Sequence, residues 1–168
     1  MNSVEEVLVA LRRVIRATDI YSKKLAKTTG LTAPQMLLLQ TINHRGEVTI
    51  GELAGAMSLS QATVTTIMDR LEKRQLVLRQ RSTADKRKVY ARLTPDAEKK
   101  LQQAPIPLQE NFSTHFDALE EWEQTMIISS LQRVAKMMDA EDIDAAPVLD
   151  VGAMDRQAYS AENSEKGG

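Results

Sequence analysis

The chain has 168 residues, with two His, seven Gly, no Cys and a formal net charge of −1, a length that suits one domain with an appendage. Without cysteine there are no disulfides, thiolate nucleophiles or Cys-ligated metals, and His44 and His115 lie too far apart in sequence to suggest a metal set. No Gly-rich nucleotide cradle, bilayer-length apolar run or basic signal-peptide start occurs, so a cytoplasmic protein with no cofactor or metal is expected, and no nucleophile–base or acid–base set suggests an enzyme.

Val4, Val7, Leu8, Leu11, Val14 and Ile15 recur at helical spacing, with Arg12, Arg13 and Arg16 opposite. This predicts an amphipathic helix running on through Ile20, Tyr21 and Leu25 to Gly30. Thr32-Ala33-Pro34-Gln35 reads as a capping box with Pro in the first turn. The apolar run Met36 to Ile42 behind it predicts a buried helix, stopped at His44-Arg45-Gly46. Thr49-Ile50-Gly51-Glu52 is a second capping box and opens a short helix with Leu53, Ala54 and Met57 inward.

Ser58-Leu59-Ser60 breaks that helix, and Ser60 is a good N-cap for the next one, Gln61 to about Gln75. Ala62, Val64, Ile67, Met68 and Leu71 form its apolar side; Gln61, Thr63, Thr65, Thr66, Asp69, Arg70 and Lys73 form its polar side. The period then shortens. Residues 76–81 and 88–93 favour strands, and the polar turn 82–87 between them predicts a hairpin with a basic tip.

Thr94-Pro95 starts another helix, through Leu101. At Pro105 and Pro107 either this helix kinks or two helices meet. Phe112, Phe116 and Leu119 continue a helical stripe, and Trp122, Met126, Ile127, Leu131, Val134 and Met138 mark the last amphipathic helix. From Asp139 the chain holds eight acids and two basic residues with poor periodicity, which reads as a largely disordered tail in which Val148, Leu149 and Val151 could dock. The expected fold is mainly α with a small β-wing.

Charge is unevenly placed. Residues 58–92 carry nine Lys/Arg and three acids, whereas the remainder is net negative. A basic block in an acidic chain is the footprint of a polyanion-binding surface. The block coincides with two short helices joined by a Ser-rich turn, the pattern of a helix-turn-helix. Small polar side chains at the start of the second helix (Ser60, Gln61, Thr63, Thr65 and Thr66) let it enter a major groove and bond base edges. Arg70, Lys73, Arg79, Arg81, Lys86, Arg87 and Lys88 are the candidates for phosphate and minor-groove contact. Taken singly these signals are bland: a Thr-rich face is usually a surface, and charge on a hairpin usually keeps an edge soluble. It is their order that points to double-stranded DNA. The rivals are a nonspecific architectural binder, which needs basic charge over most of the surface, and a winged-helix protein-interaction module, which needs an apolar or acidic face.

The stretches Leu53-Ala54, Leu59 to Thr65, Asp69-Arg70-Leu71-Glu72, Arg81 to Arg87 and Leu93-Thr94-Pro95 resemble the MarR family of bacterial winged-helix regulators, most specifically over Thr32 to Leu101. The resemblance implies a winged helix-turn-helix domain (residues 32–93) flanked by an N-terminal dimerisation helix (1–31) and C-terminal dimerisation helices (94–139), followed by the acidic tail (140–168). It implies an obligate homodimer on a pseudo-palindromic operator, more often as repressor than activator. The family's Asp-x-Arg wing motif falls on Asp85 and Arg87. By resemblance Arg87 enters the minor groove and Asp85 orients the wing through basic neighbours; the alternative is that Asp85 only caps the turn. Residues 16–25 and 31–35, with Ala146 to Leu149, are similar to a subgroup controlling ectoine or glycine betaine genes. A small-molecule effector, often a phenolic anion in the family, would draw on Arg16, Tyr21, His44 and His115. Three of them have plainer readings: His44 as a helix-end donor, Tyr21 as a core residue and His115 as a lone surface residue. The absence of cysteine excludes the family's peroxide-sensing branch.

Overall fold

A computed structural model describes residues 2–143 and 145–149. Its elements are α1 (Ser3–Thr29), α2 (Ala33–Arg45), β1 (Val48–Thr49), α3 (Ile50–Met57), α4 (Gln61–Lys73), β2 (Val77–Arg81), β3 (Val89–Leu93), α5 (Pro95–Gln103), α6 (Leu108–Asp117) and α7 (Glu121–Met137). The chain forms two compact units. One is Met1–Pro105 together with the segment from Ala146; the other is Ile106–Ala145.

Local chemistry sets most of the helix starts in the first unit. Thr32, Thr49, Ser60 and Thr94 each sit in extended backbone and accept the N–H three residues on. Gln35 and Glu52 return the bond to the cap residue's own N–H, completing two capping boxes. A third capping box, Asn2 with Glu5, starts α1. Gly30, at φ 71°, ends that helix with its N–H on Ala26 O.

The core of this unit is drawn from α1, α2, α3, α4 and the sheet. Leu25, Leu38, Leu39, Leu53, Met57, Val64, Met68, Leu71 and Val77 are fully enclosed. Along α4 the buried set is Val64, Ile67, Met68 and Leu71, spaced three or four residues apart, so the opposite face is left to solvent. The sheet has the order β1-β3-β2, antiparallel throughout. The two-residue β1 is absent from the sequence reading. Two residues carry no period, and β1 exists only because Val48 and Thr49 pair with Ala91 and Tyr90. Within the acidic segment Ala146 is buried and Val148 packs against the core of this unit. That stretch is therefore docked rather than free; Val151, with the other residues from 150 to 168, lies outside the described residues.

The second unit holds α6 and α7. Of the two readings offered at the prolines, two separate helices is the one found: α5 ends at Gln103 and Pro107 precedes α6. Phe112 and Phe116 stack with ring centroids 5.4 Å apart, and Gln124 donates to the Phe116 carbonyl at 2.9 Å. Neither helix buries a residue fully.

Gln75 links α4 to β2 in a left-handed conformation, φ 58°. For a residue with a side chain that costs about 1–2 kcal/mol, and glycine's greater unfolded-state freedom returns about 0.5–1 kcal/mol of any relief. Gln75→Gly is therefore expected to stabilise the protein by about 0.5–1 kcal/mol, read as a higher urea midpoint at unchanged slope.

Candidate nucleic-acid interface

The turn between α3 and α4 is short because both helix ends are satisfied locally. Ser58 adopts φ 53° and closes α3. Leu59 is buried, and its N–H reaches Ala54 O at 3.1 Å. Ser60 Oγ accepts the Thr63 N–H at 3.2 Å and shares a 2.8 Å hydrogen bond with the Thr63 hydroxyl. The capping geometry thus uses two of the five groove candidates. Thr66 turns its hydroxyl back to Ala62 O at 3.1 Å. Gln61 and Thr65 are exposed, as is Thr66. All five candidates therefore lie in the first two turns of one helix or at its cap, and Gln61 and Thr65 retain the clearest polar reach.

Gln61 lies close to Gly51 at the start of α3, a residue that sequence reasoning did not select for this site. A side-chain carbon at Gly51 would stand 3.3 Å from Gln61 Nε2.

The wing follows directly. β2 and β3 pair from Val77 with Leu93 to Arg81 with Val89. Its tip is closed by Ser82 N–H on Lys88 O and Lys88 N–H on Asp85 O, both at 2.9 Å. Asp85 accepts the Arg87 N–H at 3.0 Å through its carboxylate, while its own N–H donates to Ser82 Oγ at 3.1 Å. The carboxylate thereby fixes the backbone that carries Lys86, Arg87 and Lys88, all exposed, as is Arg81. This is the turn-capping geometry, and it orders the tip through the main chain.

Arg79 differs from the other basic candidates. Its guanidinium binds Asp69 at 2.6 Å and also binds Glu72, both carboxylates coming from α4. Burial works against its charge, but the bond to Asp69 and the charge of Glu72 more than offset this and raise its pKa above the ordinary arginine value. Arg79 is thus engaged in holding the base of the wing to the second helix of the motif. Lys73 is exposed and Arg70 half-buried on that helix. Arg45, at the end of α2, belongs to the same electrostatic surface: it and Lys88 help, after the hydrogen bonds from Thr49, to lower the pKa of the Glu52 carboxyl. No local signal marks Arg45, because its neighbours come from other elements.

Within the first unit the effector candidates Arg16, Tyr21 and His44 are not gathered. Arg16 is exposed and pairs with Asp19 at 3.1 Å. Tyr21 is half-buried against the core. His44 lines a shallow hollow with Gln40, Thr41, Arg45 and Ala56, and neither Arg16 nor Tyr21 reaches it. His115 belongs to the second unit, where its Nδ1 lies 2.7 Å from Asn111 O. Among the described residues no group of three or more His, Asp or Glu is placed to hold a metal.

Comparison with known proteins places this geometry. The MarR family model matches residues 31–89. The HTH-type transcriptional regulator MgrA of Staphylococcus aureus is 33% identical over 98 residues, which is 58% of this chain and 67% of that protein. An uncharacterized HTH-type transcriptional regulator of Bacillus subtilis, YsmB, is 29% identical over 138 residues, 82% of this chain and 94% of that one. Among solved structures, Bordetella bronchiseptica BpsR, described with regulation of its DNA binding by 6-hydroxynicotinic acid, is 27% identical with a TM-score of 0.52; the match covers 80% of this chain and 96% of that one.

Arg79→Gln removes both carboxylate contacts without adding bulk. It is expected to cost about 1 kcal/mol, because Asp69 and Glu72 are more than a third exposed and solvent screens the pairing, and to speed amide hydrogen exchange in residues 77–93 more than in α2. Equal protection of the wing in both proteins would contradict the assignment.

Proposed function

The chain belongs to the MarR family of winged helix-turn-helix transcriptional regulators, and on that premise we propose that it is a homodimer that binds a pseudo-palindromic operator and represses by occlusion. The observation that carries the reading is the exposed face of α4, with Gln61, Thr65 and Thr66, in the same compact unit as an ordered wing tip bearing Lys86, Arg87 and Lys88. A helix with this face enters the major groove, and a basic tip reaches the neighbouring minor groove, where the potential of narrow A·T tracts favours guanidinium. The contact surface is neither apolar nor acidic, which disfavours a protein-interaction module. Basic charge is concentrated on one stretch of an acidic chain, which disfavours a general DNA coat.

Support for the dimer comes from apolar faces that the monomer leaves in water. Val4, Leu8, Val14 and Ile15 of α1 are exposed, as are Phe112 of α6 and Trp122, Met126 and Leu131 of α7. Trp122 is 65% exposed, and an exposed apolar patch of this kind marks an interaction surface. The two recognition helices of such a dimer enter successive major grooves, about 34 Å apart. The resemblance of residues 16–25 and 31–35 supports osmoprotectant synthesis or uptake genes as the regulated class.

The test is fluorescence anisotropy with a duplex from upstream of the protein's own gene or of osmoprotectant genes, beside a scrambled duplex, at two salt concentrations. The expected result is tight binding to a native duplex alone, weakening steeply with salt as counterions are released. Equal, weak binding to every duplex would overturn the sequence-specific reading. Arg87→Ala is expected to weaken operator binding by about 1–3 kcal/mol with the fold unchanged. Trp122→Ala is expected to shift the dimer toward monomer at low micromolar concentration in sedimentation; a variant as dimeric as the parent counts against α7 in the interface.

A further inference from the structure

Three side chains tie three helix ends into a closed ring inside the first unit. Arg74, the residue after α4, donates from Nη1 to Gly30 O at the end of α1, at 2.8 Å. Lys100, in the last turn of α5, donates from Nζ to Thr29 O at 2.7 Å. Thr94, the N-cap of α5, donates its hydroxyl to Gln75 O just past α4, at 2.7 Å. The bonds therefore run from α4 to α1, from α1 to α5 and from α5 back to α4. They join residues 44, 71 and 19 positions apart.

Each acceptor is a carbonyl at or just beyond a helix C-terminus, where no intrahelical partner exists. Two of the donors are cations, placed at the negative end of the α1 dipole. Gly30 serves the ring in two ways. It takes φ 71°, and a side-chain carbon there would stand 3.1 Å from Arg74 Nη2. Neighbouring groups at this end of α1 are already committed: the buried Thr29 hydroxyl donates to Leu25 O at 2.8 Å and accepts the Leu31 N–H at 3.2 Å.

We propose that this ring sets the direction of α4 relative to α1, and that Arg74 and Lys100 are positioning residues for operator half-site spacing. The inference rests on the homodimer reading above, in which α1 is part of the interface. Two helices joined at one point can pivot about it; a three-sided ring removes that freedom. The leverage is large. The 13 residues of α4 extend about 20 Å from the ring to Gln61, so a tilt of about 10° moves Gln61 by about 3 Å, close to one base-pair step. The groove-facing end of the helix lies far from the ring, so the ring acts on register and not on the base contacts themselves.

The experiment uses the full chain and a half-site selected by the parent protein from random duplexes. Two inverted copies of that half-site are joined at separations varied one base pair at a time. The parent is expected to show a sharp optimum. Arg74→Gln with Lys100→Gln is expected to bind a single half-site as the parent does. At the optimum it is expected to lose about tenfold, the cost of roughly one mismatched base pair, so that its spacing profile flattens. Arg74→Lys with Lys100→Arg, which keeps both cationic donors, is expected to restore the optimum. A double Gln variant with the parent's sharp profile overturns the inference, and so does one that loses half-site binding in proportion. If the double variant is unfolded at the assay temperature, Lys100→Gln alone opens the ring, and the same two readings decide. A parent protein without any spacing optimum overturns the homodimer reading and this inference with it; a parent optimum left unchanged by the variants overturns only this inference.

Discussion

Every α-helix leaves N–H groups at its start and carbonyls at its end without partners inside the helix, and short helices carry that burden on a large share of their residues. The described residues contain seven helices, of which α3 has eight residues and α5 nine. How those end groups are satisfied decides the architecture of the first unit. The starts are served from within, by Asn2, Thr32, Thr49, Ser60 and Thr94 acting three residues ahead. Several of the ends are served from elsewhere: Gly30 O by Arg74, Thr29 O by Lys100 and Gln75 O by Thr94. A cap made within one helix fixes only where that helix begins. A cap made by another element also fixes how the two lie against each other. The way α1, α4 and α5 lie against one another therefore follows partly from the same end groups.

The basic surface is divided by the same logic of commitment. Arg79 looks equivalent to its neighbours by charge alone, yet it is held between Asp69 and Glu72. Its role is to join wing and helix, and the carboxylates it neutralises would otherwise repel a phosphate backbone from the polar face of α4. Arg81, Lys86, Arg87 and Lys88 keep their charge outward on a tip made rigid by Asp85, Ser82 and main-chain bonds. A tip ordered before contact loses less conformational entropy on binding than a mobile loop does.

The remaining helices pose a different energetic problem. α6 and α7 bury no residue fully, and α1 leaves Val4, Val7, Leu8, Val14 and Ile15 in water. Helices of this length draw most of their stability from an apolar face packed against something. The proposed homodimer supplies that cover.

The local features of this protein were legible in the chain itself. Ser60 three residues before Thr63, Thr49 before Glu52, Gly30 at a helix end and the basic turn between two β-favouring runs all act over a few residues, so their chemistry can be read without knowing the fold. The alternation of buried Val64, Ile67, Met68 and Leu71 with an exposed Thr-rich face is likewise a property of helical period alone. Tertiary structure decided what depends on distant partners. β1 is a strand only because Val48 and Thr49 meet Ala91 and Tyr90; the charge of Arg79 is engaged only because a hairpin folds back on α4; and Arg74 is tied to Gly30 across 44 residues. The physical reason is the same in each case. Caps and periodicity are set by bond geometry along the chain, whereas the pairing of a charge or a carbonyl with a remote group is set by packing, which brings them within reach only after the core has closed.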